Sequence, residues 1–94
     1  MGRRPLDQPR NWQGTVGRHW VRLRRRRFAT QAEFAAALTK NGYSVTVPTV
    51  SEWERGFRMP NLAELPLIAL TLAVPVQSLI PSKAFLQKFC DDQK

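Results

Sequence analysis

The run Thr46-Val47-Pro48-Thr49-Val50-Ser51-Glu52-Trp53-Glu54-Arg55-Gly56 decides how the rest of the chain is read. At about 100° per residue, Val50, Trp53 and Glu54 fall on one side of a helix with Val47 on its flank, while Pro48, Ser51, Glu52 and Arg55 fall on the other. One side looks inward and the other outward. Thr46 can open the helix by offering its hydroxyl to an early backbone N–H, and Pro48 is tolerated in the first turn, where its missing donor has no partner to lose. Gly56 closes it in the left-handed conformation. A helix of about nine residues is marginal alone, so the remainder of the chain must hold it in place.

Upstream, Thr30, Gln31, Ala32 and Glu33 spell a capping box, in which the threonine hydroxyl and the glutamate carboxylate each satisfy a backbone N–H of the other's segment. A second helix starts there, continues through Phe34, Ala35, Ala36, Ala37 and Leu38, and stops at Asn41 and Gly42. A first helix is expected from about Thr15 to Arg27 on the spacing of Val16, Trp20 and Leu23. Arg24, Arg25, Arg26 and Arg27 follow one another, so they wrap the helix and at least one must turn toward the protein. Downstream, Asn61 and Glu64 repeat the capping logic for a fourth helix to Leu72, with Leu62, Leu65, Ile68, Ala69 and Leu72 as its inner stripe. Pro66 conflicts with that helix and requires a kink or a later start. A short fifth helix fits 76–80, and Phe85, Leu86 and Phe89 share one side of a last helical segment. That segment reads equally as a lid on the domain's own core or as a homodimer seam.

At 94 residues the chain suits one domain with a single core. Its charge is the outlying property. Residues 1–40 hold ten Arg or Lys against Asp7 and Glu33, whereas residues 41–94 hold five of each sign, so the whole excess of eight lies in the first part. Such asymmetry points to a polyanionic partner, nucleic acid or an anionic membrane surface. No apolar stretch approaches the roughly 18–20 residues that span a bilayer, and no secretory leader is expected behind the polar, basic first residues. Residues 1–13 form a basic arm with Arg3 and Arg4, read either as a disordered terminus or as an arm that follows phosphates or enters a minor groove; Trp12 implies that part of it packs. Residues 14–81 are the domain, and 82–94 the C-terminal helix and tail.

Catalytic and metal chemistry find little support. Cys90 is the only cysteine and His19 the only histidine, which fits a reducing cytoplasm and offers no metal cluster and no cofactor. Glu52 and Glu54 stand two apart and point to different sides, so they cannot act as a catalytic pair. The expectation is a non-enzyme. RNA binding lacks an exposed aromatic platform.

Leu23 and Arg24, then Thr30 through Phe34 and Ala35, then Thr49, Val50, Ser51, Glu52, Trp53, Glu54, Arg55 and Gly56, with Pro60 and residues 74–80, resemble the Cro/CI (Xre) helix-turn-helix family over about residues 16–81. The resemblance implies an all-α, compact five-helix, lambda-repressor-like domain whose third helix enters the major groove of duplex DNA. It implies that Arg24 pairs with Glu54 to tie the first helix to the third, and that Gln31 binds a phosphate. The residues themselves agree: Glu54, on the inward side, would be costly to bury unpaired, and an arginine is a forked partner for it. Two features depart from the family. Residues 41–45 lengthen the connection between second and third helices, and Val47 and Pro48 offer no hydrogen bond to a base, only apolar contact.

The expected DNA-facing residues are therefore Ser51, Glu52 and Arg55, with Thr46, Pro48 and Thr49 at the start of the helix, Gln31 on a phosphate, and Arg3 and Arg4 in the arm. The function implied is a sequence-specific, double-stranded DNA-binding transcriptional regulator, bacterial or phage-encoded and cytoplasmic, acting as a dimer on a two-fold site. The alternative is a protein-interaction module on the same fold, such as the antitoxin of a toxin-antitoxin pair. Val47 and Pro48 favour the alternative, and the basic excess opposes it.

Overall fold

Among the described residues, four α-helices follow one another: α1 (Trp12–Arg25), α2 (Gln31–Lys40), α3 (Val47–Arg55) and α4 (Leu65–Leu72). Single 3₁₀ turns at Leu62–Glu64 and Val76–Leu79 flank α4. The structure is a computed structural model and describes residues 12–82. Arg3 and Arg4 of the arm, and Phe85, Leu86, Phe89 and Cys90 of the tail, lie outside the described residues.

The core sits where these helices meet. Val16, Trp20 and Leu23 come from α1, Phe34 and Leu38 from α2, Val50 and Trp53 from α3, Ile68 and Leu72 from α4, and Leu79 from the closing turn. Trp20 meets Trp53 edge to face, with ring centroids 6.0 Å apart and planes at 85°, an arrangement favoured by the ring quadrupoles. The Trp20 indole Nε1 donates to the Leu79 carbonyl at 2.8 Å, and His19 Nε2 donates to the Ser78 carbonyl at 2.7 Å. Those two bonds fasten the closing turn to α1.

The helix count differs from the expected five. Pro66 decides the fourth: the chain takes a 3₁₀ turn first and begins α4 at Leu65, which leaves proline in a first turn where no donor is missed. The expected fifth helix is only the 3₁₀ turn Val76–Leu79. Pro75 precedes it, and Ile80, ahead of Pro81, is extended at φ −100° and ψ 133°, as a residue before proline prefers. At the other end α1 starts at Trp12 rather than near Thr15, because Trp12 packs against the core and anchors an earlier turn.

α1 lies close against the end of α3 because two glycines let it. A Cβ on Gly17 would stand 2.6 Å from the Glu54 carbonyl oxygen, and one on Gly56 would stand 2.5 Å from the Gly14 Cα. Neither contact could be relieved by a side-chain rotation, since backbone meets backbone. The long connection between α2 and α3 is fixed at its middle by Tyr43. The Tyr43 ring packs 6.0 Å from Trp53, and its hydroxyl donates to Glu64 Oε1 at 2.7 Å. Asn41 Nδ2 adds a bond to Thr71 Oγ1 at 2.8 Å, so both α3 and α4 hold the extra residues.

Three helices end by the same device. Tyr43 N–H donates to the Leu38 carbonyl (2.9 Å), Phe57 N–H to Glu52 (3.0 Å) and Val74 N–H to Ala69 (3.0 Å), each across a residue in the left-handed region. Gly42 and Gly56 fill that position in α2 and α3, but Ala73, at φ 62°, fills it in α4. An L-residue there costs roughly 1 kcal/mol or more. Ala73→Gly is therefore expected to stabilise the fold by about 1 kcal/mol, read as a higher midpoint in urea unfolding. Tyr43 supplies a pH-dependent prediction. Burial, then the hydrogen bond to Glu64 and its charge, push the phenol from 10.0 up to about 12. The neutral phenol stabilises the fold fully below about pH 10, and this contribution is lost between pH 10 and about 12. Tyr43 is the only tyrosine, so its ionisation can be followed by absorbance. Tyr43→Phe should lower stability at pH 7 by about 0.5–1.5 kcal/mol and show no loss of this kind over that alkaline window.

Candidate nucleic-acid interface

The interface is built on a carboxylate beneath it. Glu54, on the inner side of α3 and 8% exposed, accepts from Arg24 Nε at 2.6 Å and from Arg24 Nη2 at 3.4 Å. Arg24, 5% exposed, spends its third nitrogen on the chain just beyond α1: Nη1 donates to the Phe28 carbonyl at 3.2 Å and the Ala29 carbonyl at 3.1 Å. Gln31 Nε2, in the first turn of α2, then donates to Glu54 Oε1 at 2.9 Å. One buried ion pair thus fixes α1, the turn after it, the start of α2 and the back of α3 relative to one another.

With its inner side held, α3 turns Val47, Pro48, Thr49, Ser51, Glu52 and Arg55 outward, exposed or half-exposed, while Val50, Trp53 and Glu54 are buried. Thr46 occupies the N-cap position with extended backbone but donates and accepts no capping bond through its side chain. Pro48 removes one of the two N–H groups such a hydroxyl could meet, that of Thr49 remaining, and Thr46 Oγ1 lies 3.3 Å from Thr49 Oγ1. Arg55 reaches back along the helix, with Nε donating to the Ser51 carbonyl at 3.4 Å and the guanidinium 5.0 Å from the centre of the Phe57 ring.

Gln31 sits at the N-terminus of α2, half-buried, where free backbone N–H groups favour an anion. Its amide nitrogen carries two hydrogens, one of them engaged by Glu54. Immediately before this helix, Arg25, Arg26 and Arg27 are all exposed. The capping box at Thr30 and Glu33 defines that start: Glu33 N–H donates to Thr30 Oγ1 at 3.1 Å, while Glu33 Oε1 accepts from Ala29 and Thr30 N–H at 2.8 and 3.3 Å. Gln31 thus joins the capped start of α2 to the back of α3, while Arg26 lines a cavity with His19, Gln77 and Ser78 beside the closing turn.

One residue of this surface was invisible to helical periodicity. Arg58 lies beyond the Gly56 stop, yet the turn that closes α3 folds it back, and its Nη1 donates to Glu52 Oε1 at 3.2 Å. Gly14 and Gly17 stand three apart on α1 and mark a face made for close approach. Among the described residues no group of three or more His, Cys, Asp or Glu side chains could hold a metal, and no helix is long and apolar enough to cross a membrane. A pocket of about 190 Å³ opens between Trp12, Val16, Trp20, Met59, Leu65 and Ile80. None of those side chains ionises, so it offers no general acid, base or nucleophile.

A helix-turn-helix family model matches residues 23–79, from the end of α1 to the closing turn. No curated protein and no solved structure gives a significant match.

The buried pair carries the first test of this geometry. Glu54→Ala leaves the Arg24 charge buried without its carboxylate and should destabilise the domain by about 3–5 kcal/mol in urea unfolding. Replacing both residues with methionine should recover most of that loss, because no unpaired charge remains. Losses that simply add would show the pair to be uncoupled.

Proposed function

The chain belongs to the Cro/CI-type, Xre-like helix-turn-helix family of DNA-binding regulators, and from that membership we propose that it is a sequence-specific transcriptional regulator acting as a dimer with α3 in the major groove. That family is DNA-binding rather than enzymatic. The observation that carries the reading is the outward side of α3, polar along Ser51, Glu52 and Arg55 and locked from behind by Arg24 and Glu54. A helix read by base edges must keep its register to within a fraction of an ångström, and the buried pair supplies that rigidity.

The contacts divide by chemistry. Gln31, and the exposed Arg25 and Arg27 before it, suit phosphates. Ser51, Glu52, Arg55 and Thr49 suit base edges, while Val47 and Pro48 can only pack, for instance on a thymine methyl. Thr46 stands at the rim of this surface, and Arg3 and Arg4 would extend it along the backbone. A second reading, a protein-interaction module such as an antitoxin, is favoured by one observation: Leu62 and Leu70 are 83% and 66% exposed.

Selection from random duplexes should yield a two-fold symmetric site. On that duplex Arg55→Ala and Gln31→Ala should each weaken binding by about ten-fold or more, within the 1–3 kcal/mol of a good contact. Affinity should fall steeply with salt, and removing one phosphate-contacting arginine should lower the slope by about one. Parent-like binding by both variants would displace the surface from α3. Nanomolar affinity for a protein, with none for any duplex, would favour the second reading.

A further inference from the structure

Resting on that DNA reading, the ion pair between Glu52 and Arg58 says more about what the surface selects. Both side chains are substantially exposed, and exposed pairs of this kind contribute about 0–1 kcal/mol to folding. Stability is therefore a poor reason for it. A bare carboxylate in the middle of a groove-reading helix would repel the phosphates on either side. Arg58 cancels that charge through a single nitrogen, Nη1 on Oε1 at 3.2 Å, and its other N–H donors remain available to a phosphate.

We infer that Glu52 and Arg58 form one reading unit, in which Glu52 Oε2 accepts from the N4 amino group of a cytosine while Arg58 holds Oε1 and bridges to the backbone. The base follows from the donor pattern. An ionised carboxylate only accepts, so it needs an amino group on the groove edge. Guanine shows two acceptors there and thymine an acceptor and a methyl, and adenine sets its acceptor N7 beside its amino group; cytosine alone presents a donor without an adjoining acceptor. The arginine paired with Glu52 is Arg58, whereas Arg55 Nε donates to the Ser51 carbonyl and its guanidinium lies over the Phe57 ring. The turn after α3 is what brings the second arginine within reach, through the Phe57 N–H bond to the Glu52 carbonyl at 3.0 Å.

The test uses the full chain and the duplex it selects, with every base pair of one half-site replaced in turn and binding followed by fluorescence anisotropy. The parent should prefer cytosine at one position by about ten-fold. Glu52→Gln should move that preference toward adenine, whose N6 and N7 suit an amide, while leaving the other positions and the melting temperature nearly unchanged. Arg58→Ala should weaken parent binding strongly, and the same change made in Glu52→Gln should cost clearly less, since no bare carboxylate is then exposed. Unaltered base preference in Glu52→Gln, or losses for the two changes that simply multiply, would overturn the unit while DNA binding itself stands. A parent that selects no duplex at all would overturn the DNA reading and this inference with it.

Discussion

Everything outward-facing in this domain depends on one carboxylate that faces inward. Glu54 is buried, and a buried charge is tolerated only when paired and hydrogen-bonded. Its partners are drawn from elsewhere in the chain: Arg24 from the last turn of α1 and Gln31 from the first turn of α2. Because Arg24 also donates to the Phe28 and Ala29 carbonyls, the turn between α1 and α2 is set by the same guanidinium. Apolar packing alone would let α3 slide or rotate by small amounts at little cost. A forked ion pair with three anchored partners does not, so the outward row of α3 inherits a defined orientation.

That constraint also shapes the electrostatics of the surface. Gln31 stands at the boundary between the buried network and solvent, with one amide hydrogen on Glu54, so a ligand bound by its amide would act on the network that orients α3. The outward row of α3 contains its own carboxylate, Glu52, and the arginine after the helix, Arg58, is paired with it. An acceptor backed by a cation suits a partner whose backbone is anionic and whose interior edges carry donors. Duplex DNA read through its major groove has that layout.

Local chemistry made much of this legible from sequence. The capping box at Thr30 and Glu33, the stop at Asn41 and Gly42, and the inward set Val50, Trp53 and Glu54 each depend on residues within a turn or two of one another, and the helices form where those signals stand. What could not be read depended on partners far along the chain. Among four consecutive arginines, periodicity shows that one must turn inward but not which; the family resemblance pointed to Arg24. Gly14 and Gly17 look like weak helix formers until α3 is laid across them. Pro66 allowed a kink or a delayed start, and the choice rests on a preceding 3₁₀ turn whose capping glutamate, Glu64, is also bonded by Tyr43. The Thr46 side chain makes no cap bond, and its hydroxyl lies by that of Thr49 instead. Arg58 lay outside every helical pattern because a turn, not a helix, carries it back to Glu52.

The most direct measurement is a ¹H–¹⁵N nuclear magnetic resonance titration of the chain with the duplex it selects, following the Arg24 Nε–H together with the backbone amides. The expected result is an Arg24 Nε–H that is protected from exchange before and after binding, with the largest shifts at the start of α2 and along Thr49, Ser51, Glu52 and Arg55. An Arg24 Nε–H that exchanges freely in the folded chain, or shifts that leave α3 untouched while binding proceeds, would contradict it.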